Sequence, residues 1–354
     1  MTGIRLKSRA IGPGQPVFII AEAGVNHNGD LDMALKLVDV AADAGADAVK
    51  FQTFKAENII TRSAPKARYH VETTGGDEEQ TWFQLLKTQE LTPDMHKALI
   101  ERCRQRGIMF MSTPYDVESV ELLDSLDVDI IKVASTDANN IPFLEVMART
   151  GRPMILSTAM CNLDEVKASV DAIRAAGCQD LLVMQCTGSY PAPADQANLR
   201  AMRTIADACG VAVGYSDHIP GFNAALAAIA LGAQAYEKHF TLDRSLPGPD
   251  HRASLEPGEL KDLVAAIRQV ETTLGDGMKR VLPCEVENRT KLRKHMLAAR
   301  DLAPGDVIDL DNVAIKRTGG EGISPDRYHH VAGRRLKVAV AADTPIVDSM
   351  LESR

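Results

Sequence analysis

The sequence predicts a (β/α)8 barrel followed by a small second domain. Three observations carry that prediction. Eight short, nearly continuous apolar runs recur between Val17 and Tyr236. Amphipathic stretches separate them, most of them ending in glycine. Each run gives way to a polar cluster at its C-terminal end. Continuous apolar runs are expected of parallel strands buried on both faces, and strand–helix alternation of this kind builds a parallel sheet.

The runs are Val17–Ala21, Ala48–Phe51, Ile108–Met111, Ile130–Ala134, Met154–Leu156, Leu181–Met184, Val211–Gly214 and Ala235–Tyr236. Leu31–Ala44 is the clearest helical stretch, with apolar residues at three- and four-residue spacing. Gly45, Gly107, Gly151, Gly177, Gly210, Gly232 and Gly275 mark helix ends. The stretch Val117–Asp127 lacks such a stop. A doubly wound sheet is the alternative, but eight evenly spaced units favour closure into a barrel.

Catalytic groups of such barrels come from the C-terminal strand ends. Here those ends carry Glu22 to His27, Lys50 to Thr53, Ser112 to Pro114, Lys132 to Ser135, Ser157 with Thr158, Gln185 to Thr187, Ser216 to His218 and Glu237 to His239. His218 and His239 close two consecutive runs, so a barrel brings them to one mouth. Two neutral imidazoles beside carboxylates suit a divalent metal. His251 and His27 are candidates for a third ligand or for substrate contact. Lys50 and Lys132 are costly to bury without an anion. They point either to a bound phosphate or carboxylate, or to internal salt bridges with Glu22 or Glu237. Ser135, Ser157 and Ser216 offer neutral donors or helix caps. Phe54 to Glu90 is too long for an ordinary connection and reads as a lid or a helical decoration of the rim.

Composition narrows the class further. The chain has 354 residues and a formal net charge of −8, which argues against nucleic acid and anionic membrane partners. Its six cysteines show no metal-finger spacing and read as reduced core residues, with Cys186 a candidate nucleophile. The start lacks the apolar core of a signal peptide and no run is long enough to span a membrane, so a cytoplasmic protein is expected. The pattern changes after Gly275. The expected division is a barrel over 1–282, a linker over 283–294 and a small domain over 295–354.

Several motifs, in order, carry a resemblance. They are Ala21-Glu22-Ala23-Gly24 with Asn26-His27-Asn28-Gly29, Val49-Lys50-Phe51-Gln52-Thr53, Ser112-Thr113-Pro114, Leu156-Ser157-Thr158, Tyr190-Pro191-Ala192-Pro193, Gly214-Tyr215-Ser216-Asp217-His218, Glu237-Lys238-His239-Phe240 and Gly248-Pro249-Asp250. The chain resembles the sialic acid synthases, phosphoenolpyruvate-dependent nonulosonate synthases. Their barrel is joined to a C-terminal antifreeze-like (SAF, β-clip type) domain. The resemblance implies condensation of phosphoenolpyruvate with N-acetylmannosamine or a related N-acylated amino sugar, with release of phosphate. It implies a divalent metal on His218 and His239, usually Mn2+, with Mg2+ or Co2+ as alternatives. It places phosphoenolpyruvate near Lys50, Thr113, Lys132, Ser135, Ser157 and Ser216, the sugar near Gln52, Tyr190 and Asp250, and Glu22 at the reacting centre. Arg317 matches an arginine that the antifreeze-like domain extends into the partner's active site, which implies a domain-swapped homodimer. Legionaminic or pseudaminic acid synthases share this chemistry. An ice- or glycan-binding protein is the rival from another class, and the polar barrel mouth argues against it. Two departures stand out: Gly188 where the family often has Ser or Asn, and the loop Lys316 to Ile323, one residue longer than usual and without its proline.

Overall fold

In the computed structural model, which describes residues 3–76 and 80–353, eight parallel strands close into a barrel. Two short strands precede it, β1 (Ile4–Arg5) and β2 (Ala10–Ile11), paired as an antiparallel hairpin. The barrel strands are β3 (Phe18–Gly24), β4 (Ala48–Thr53), β5 (Met109–Pro114), β6 (Ile131–Val133), β7 (Met154–Ser157), β8 (Leu181–Cys186), β9 (Ala212–Asp217) and β10 (Ala235–His239). They neighbour one another in chain order, and β10 closes on β3. The predicted fold class is therefore the observed one. Most of the strands run beyond their apolar runs into the polar clusters, so the mouth residues are still held by the ladder.

Side-chain alternation divides each strand between two cores. Outward-facing Ile19, Val49, Phe51, Ile131, Leu156, Val183 and Val213 pack against the surrounding helices. Inward-facing Phe18, Ile20, Ala48, Met111, Ile155, Leu182, Met184 and Ala212 fill the barrel. Ile4, Leu6 and Ile11 join this inner core, so the hairpin plugs the N-terminal end. Two-residue strands have too little periodicity to be read from sequence, and the plug was not anticipated.

The missing glycine stop is replaced by an aspartate. The helix Val117–Ser125 ends as Asp127 enters the left-handed region at φ 56°. The backbone N–H of Val128 then reaches back to the carbonyl of Leu123. Aspartate tolerates this conformation better than most residues. Its carboxylate bonds Lys7 and Arg152.

The contacts divide the chain into two compact units, Met1–Gly275 and Asp276–Arg354. The second takes in 276–282, expected to belong to the barrel, and 283–294, expected to be linker, which contains a single turn at Pro283–Glu285 and a helix at Val286–Leu292. An antiparallel pair follows, β11 (Lys294–Ala298) with β12 (Val313–Arg317). Met296, Ala298, Leu302, Ile308, Leu336 and Ile346 form this unit's own core. Gly320 and Gly322 lie so close to Thr290 and His295 that a Cβ at either would sit under 3.0 Å from them. The longer loop after Arg317 is thus folded against its own unit.

Asp47 organises the plugged end of the barrel. It accepts from Arg9, from Arg268 at 2.7 Å and from the backbone N–H of Ile19 at 2.7 Å. Asp47→Ala strands a backbone donor at the start of β3, removes the carboxylate partner of Arg9 and leaves Glu271 as the carboxylate partner of Arg268. The expected loss is about 2 kcal/mol, read as a lowered unfolding midpoint by circular dichroism. An unchanged midpoint would show that the β3–β4 ladder holds that end without the carboxylate.

Candidate active site

The inner face that is apolar at the bottom of the barrel becomes polar at its mouth. There it lines a cavity of about 680 Å³. Glu22, Lys50, Gln52, Thr113, Lys132, Ser135, Ser157, Tyr190, Ser216, His218, His239 and Asp250 all line it, so the barrel residues to which the resemblance gives a role meet in one place.

Four buried charges form its floor. Lys50 Nζ lies 2.7 Å from Glu22 Oε2 and 3.8 Å from Glu237 Oε2, and Lys132 Nζ lies 3.8 Å from the same Glu237 atom. Both lysines therefore have carboxylate partners on the inner face of the barrel. Each also has a hydroxyl. Lys50 donates to Thr113 Oγ1 at 3.1 Å and Lys132 to Ser157 Oγ at 2.7 Å. Ser216 donates to Glu237 Oε1 at 3.1 Å. Ser135 instead accepts from the backbone N–H of Ala159 at 3.0 Å.

Burial and charge set the protonation states. Burial raises Glu22 to about 7, with Lys50 opposing. Burial also raises Asp250 to about 6, again opposed by Lys50. Burial works against the Lys50 ammonium, but Glu22 and Glu237 more than offset it and its pKa rises. Lys132 is lowered by burial, with Glu237 holding it up. Glu22 can thus hold or release a proton near neutral pH.

His218 and His239 converge as expected, their ring centroids 5.6 Å apart. Burial keeps both imidazoles neutral by lowering their pKa. His218 Nδ1 sits 2.8 Å from the carbonyl of Thr187, so it carries the proton and Nε2 keeps a lone pair. His239 Nδ1 is buried with no hydrogen-bond partner, 3.9 Å from Asp250 Oδ2. An oriented neutral imidazole beside an orphaned buried nitrogen is a donor set that fits a divalent metal. Among the described residues no group of three His, Cys, Asp or Glu could hold one. Two protein nitrogens would leave most coordination positions to other ligands.

Three expectations are corrected here. His251 is not a third ligand: its ring bonds Thr241 Oγ1 at 2.7 Å and Asn28 Oδ1 at 3.4 Å. His27 accepts from the backbone N–H of Gly29, and neither ring lines the cavity. Cys186 is not a ready nucleophile, because burial pushes its thiol up to about 11 against the pull of Lys132.

Other features were not anticipated. Glu237 was considered only as a partner for the lysines, although alternation with His239 already put it on the inner face. Gly24 (φ 54°) sits at a bulge between β3 and β4, where a Cβ would come within 3.5 Å of Glu22, Gln52 and Asp250. At Gly188 a Cβ would meet Met160 Cγ at 3.2 Å, so the Met160 side chain fills that space. Phe54, Ile59, Ile60, Trp82 and Leu86 give one side of the cavity an apolar wall. They come from the long 54–90 excursion, of which 77–79 lie outside the described residues. Its helices, Ala56–Ile59, Arg68–Thr74 and Trp82–Thr88, are too short to read by periodicity. Arg317 is exposed at the end of β12, in the second unit.

The chain is similar to known proteins over most of its length. Residues 37–279 match the NeuB family and residues 297–352 match the SAF domain. The N,N'-diacetyllegionaminic acid synthase of Campylobacter jejuni is 46% identical over 89% of this chain and 94% of its own length. The human N-acetylneuraminate-9-phosphate synthase is 35% identical over 98% of this chain and 95% of its own. The solved N-acetylneuraminic acid synthetase of Leptospira borgpetersenii, in complex with citrate, superposes with a TM-score of 0.71 at 36% identity, covering 81% of this chain and 95% of that one. With a closed eight-stranded barrel, the inner-face motifs and a C-terminal SAF domain, this chain belongs to the NeuB family.

Proposed function

We propose that the protein is a sialic acid-type nonulosonate synthase. It condenses phosphoenolpyruvate with N-acetylmannosamine or a related N-acylated amino sugar and releases phosphate. The observation that carries this reading is the juxtaposition, in one cavity, of two neutral histidines with buried Glu22, Lys50, Glu237 and Lys132. Phosphoenolpyruvate bears two anionic groups. Lys50 with Thr113 and Lys132 with Ser157 are the cation–hydroxyl pairs suited to them, with Ser135 and Ser216 beside. Gln52, Tyr190 and Asp250 offer hydrogen bonds to the sugar.

His218 and His239 would hold the divalent ion, Mn2+ before Mg2+ or Co2+. Such an ion would polarise the sugar's aldehyde oxygen. The methylene carbon of phosphoenolpyruvate forms a bond to the aldehyde carbon as the enol C=C and the aldehyde C=O π bonds open. Water adds to the electron-poor carbon left behind, and one of its protons passes through Glu22 to the former aldehyde oxygen. The bond from that carbon to the phosphate oxygen then breaks, the departing phosphate carries away the second water proton, and the ketone is left. A carboxyl raised to about 7 is suited to taking up and returning that proton.

A second reading, a legionaminic or pseudaminic acid synthase with the same chemistry, has specific support. The Campylobacter relative is named for a diacetylated product. The apolar wall of Phe54, Ile59, Ile60 and Trp82 also suits an acceptor with more than one acyl methyl group.

The test is phosphate release from phosphoenolpyruvate across a panel of amino sugars, with products weighed by mass spectrometry. No release with any acceptor would overturn the synthase reading, and the product mass chooses between the sugars. In the same assay Lys50→Met and Lys132→Met should raise KM for phosphoenolpyruvate more than KM for the sugar. Equal shifts would make the lysines structural.

The metal assignment predicts that His218→Ala or His239→Ala binds Mn2+ far more weakly and loses orders of magnitude of activity, with the circular dichroism spectrum retained. Wild-type metal content and turnover in both variants would sink the assignment.

We further propose a domain-swapped homodimer in which Arg317 serves the partner's barrel. Exposure of Arg317 at a strand end is compatible with that role. Mixing inactive Arg317→Ala chains with inactive Glu22→Ala chains should restore part of the activity, because one site in each mixed dimer is intact. No recovery after confirmed subunit exchange would rule out action on the partner.

A further inference from the structure

The strand-end motifs contain charged residues that the proposed chemistry does not use. Asp217 lies between Ser216 and His218, and Lys238 between Glu237 and His239. Alternation turns both away from the cavity, toward the helical layer. They are direct register partners across β9 and β10. Both are almost wholly buried, and Lys238 Nζ lies 3.1 Å from Asp217 Oδ2. Tyr236 donates to the same carboxylate oxygen at 2.7 Å.

The remaining bonds of this network converge on the backbone just past His218. Asp217 Oδ1 accepts from the N–H of Ile219 at 2.8 Å. Lys238 donates to the carbonyl of Ile219. The carbonyl of His218 itself accepts from the N–H of Ala192 at 2.9 Å. His218 follows the last residue of β9, where a chain leaving a strand ordinarily gains freedom. Here both backbone groups of the next residue are tied to one buried ion pair, and that pair adds a side-chain link to the β9–β10 ladder beside His239.

We propose that Asp217, Lys238 and Tyr236 are positioning residues that fix His218 relative to His239, so that two side chains on the inner face are aligned by a charge pair on the outer face. This rests on the reading of the two histidines as metal ligands. Ligand nitrogens must be placed to within about 0.2 Å. Loss of groups that orient ligands ordinarily weakens metal binding about 10–100-fold. A slip of β9 against β10 would break three bonds where no water can replace them. The ion pair therefore makes the spacing of the histidines discrete.

The test uses the full-length chain, stripped by chelator and titrated with Mn2+ alone, with free ion counted by electron paramagnetic resonance. The double variant Asp217→Asn/Lys238→Met removes both charges together at nearly constant volume, so no buried charge is left unpaired. Its Mn2+ affinity should fall at least tenfold while the unfolding midpoint of the metal-free chain stays near that of the parent. Asp47→Ala, at the other end of the barrel, should do the reverse. An unchanged affinity in the folded double variant overturns the proposal. If the double variant does not fold, Tyr236→Phe decides. It keeps both charges and removes one donor from Asp217, so several-fold weaker binding supports the proposal and unchanged binding overturns it. His218→Ala is measured beside them. If it too binds Mn2+ like the parent, the metal reading has failed rather than the positioning role.

Discussion

The charge array formed by Glu22, Lys50, Glu237 and Lys132 is the constraint on which the barrel mouth depends. Two cations and two carboxylates, all nearly inaccessible, are held within 4 Å of at least one opposite charge. At an effective dielectric near 20 such a contact contributes about 4 kcal/mol, and one member left alone would lose that and remain desolvated. The array therefore behaves as a unit. Its members come from β3, β4, β6 and β10, so the balance exists only when the barrel is closed. The same dry surroundings hold the two histidines neutral. Ligand-ready imidazoles and a carboxyl that titrates near neutrality thus share one cause, which is burial.

Much of this was legible because strand periodicity is simple. Once a run such as Val49–Lys50–Phe51–Gln52 is placed in a barrel, Lys50 and Gln52 must share a face, and the histidines of β9 and β10 must meet at one mouth. Other parts were hidden for identifiable reasons. Which carboxylates Lys50 meets depends on closure of the barrel, which brings β10 from the far end of the unit beside β3, the neighbour of β4. His251 looked like a ligand by residue type and loop position, yet Thr241 and Asn28 occupy both its nitrogens. Trp82 and Ile59 lie on helices of seven and four residues, in which no amphipathic repeat can develop.

The region after Gly275 shows a different limit. Its polar run reads as a connection because nothing in it alternates, yet Val286–Leu292 is helical, with Lys291 and Glu287 paired across one turn. Exposed helices of this kind are stabilised by local pairs rather than by an apolar face, so hydrophobic periodicity cannot find them. The SAF unit has its own core of aliphatic residues joined by tight turns.

Consecutive polar residues at a strand end are easily read as one functional cluster. The pleat argues otherwise. In Ser216-Asp217-His218 and Glu237-Lys238-His239 the outer pair faces the cavity and the middle residue faces the opposite way. The inner-face groups combine neutral rings with paired charges around the cavity. The outer-face residues need only each other and the backbone of Ile219. A motif of three polar residues thus contains two layers of one device, separated by the thickness of a single strand. The layer turned away from the cavity is as tightly constrained as the layer that lines it, because each is buried and each is balanced by a partner on the neighbouring strand.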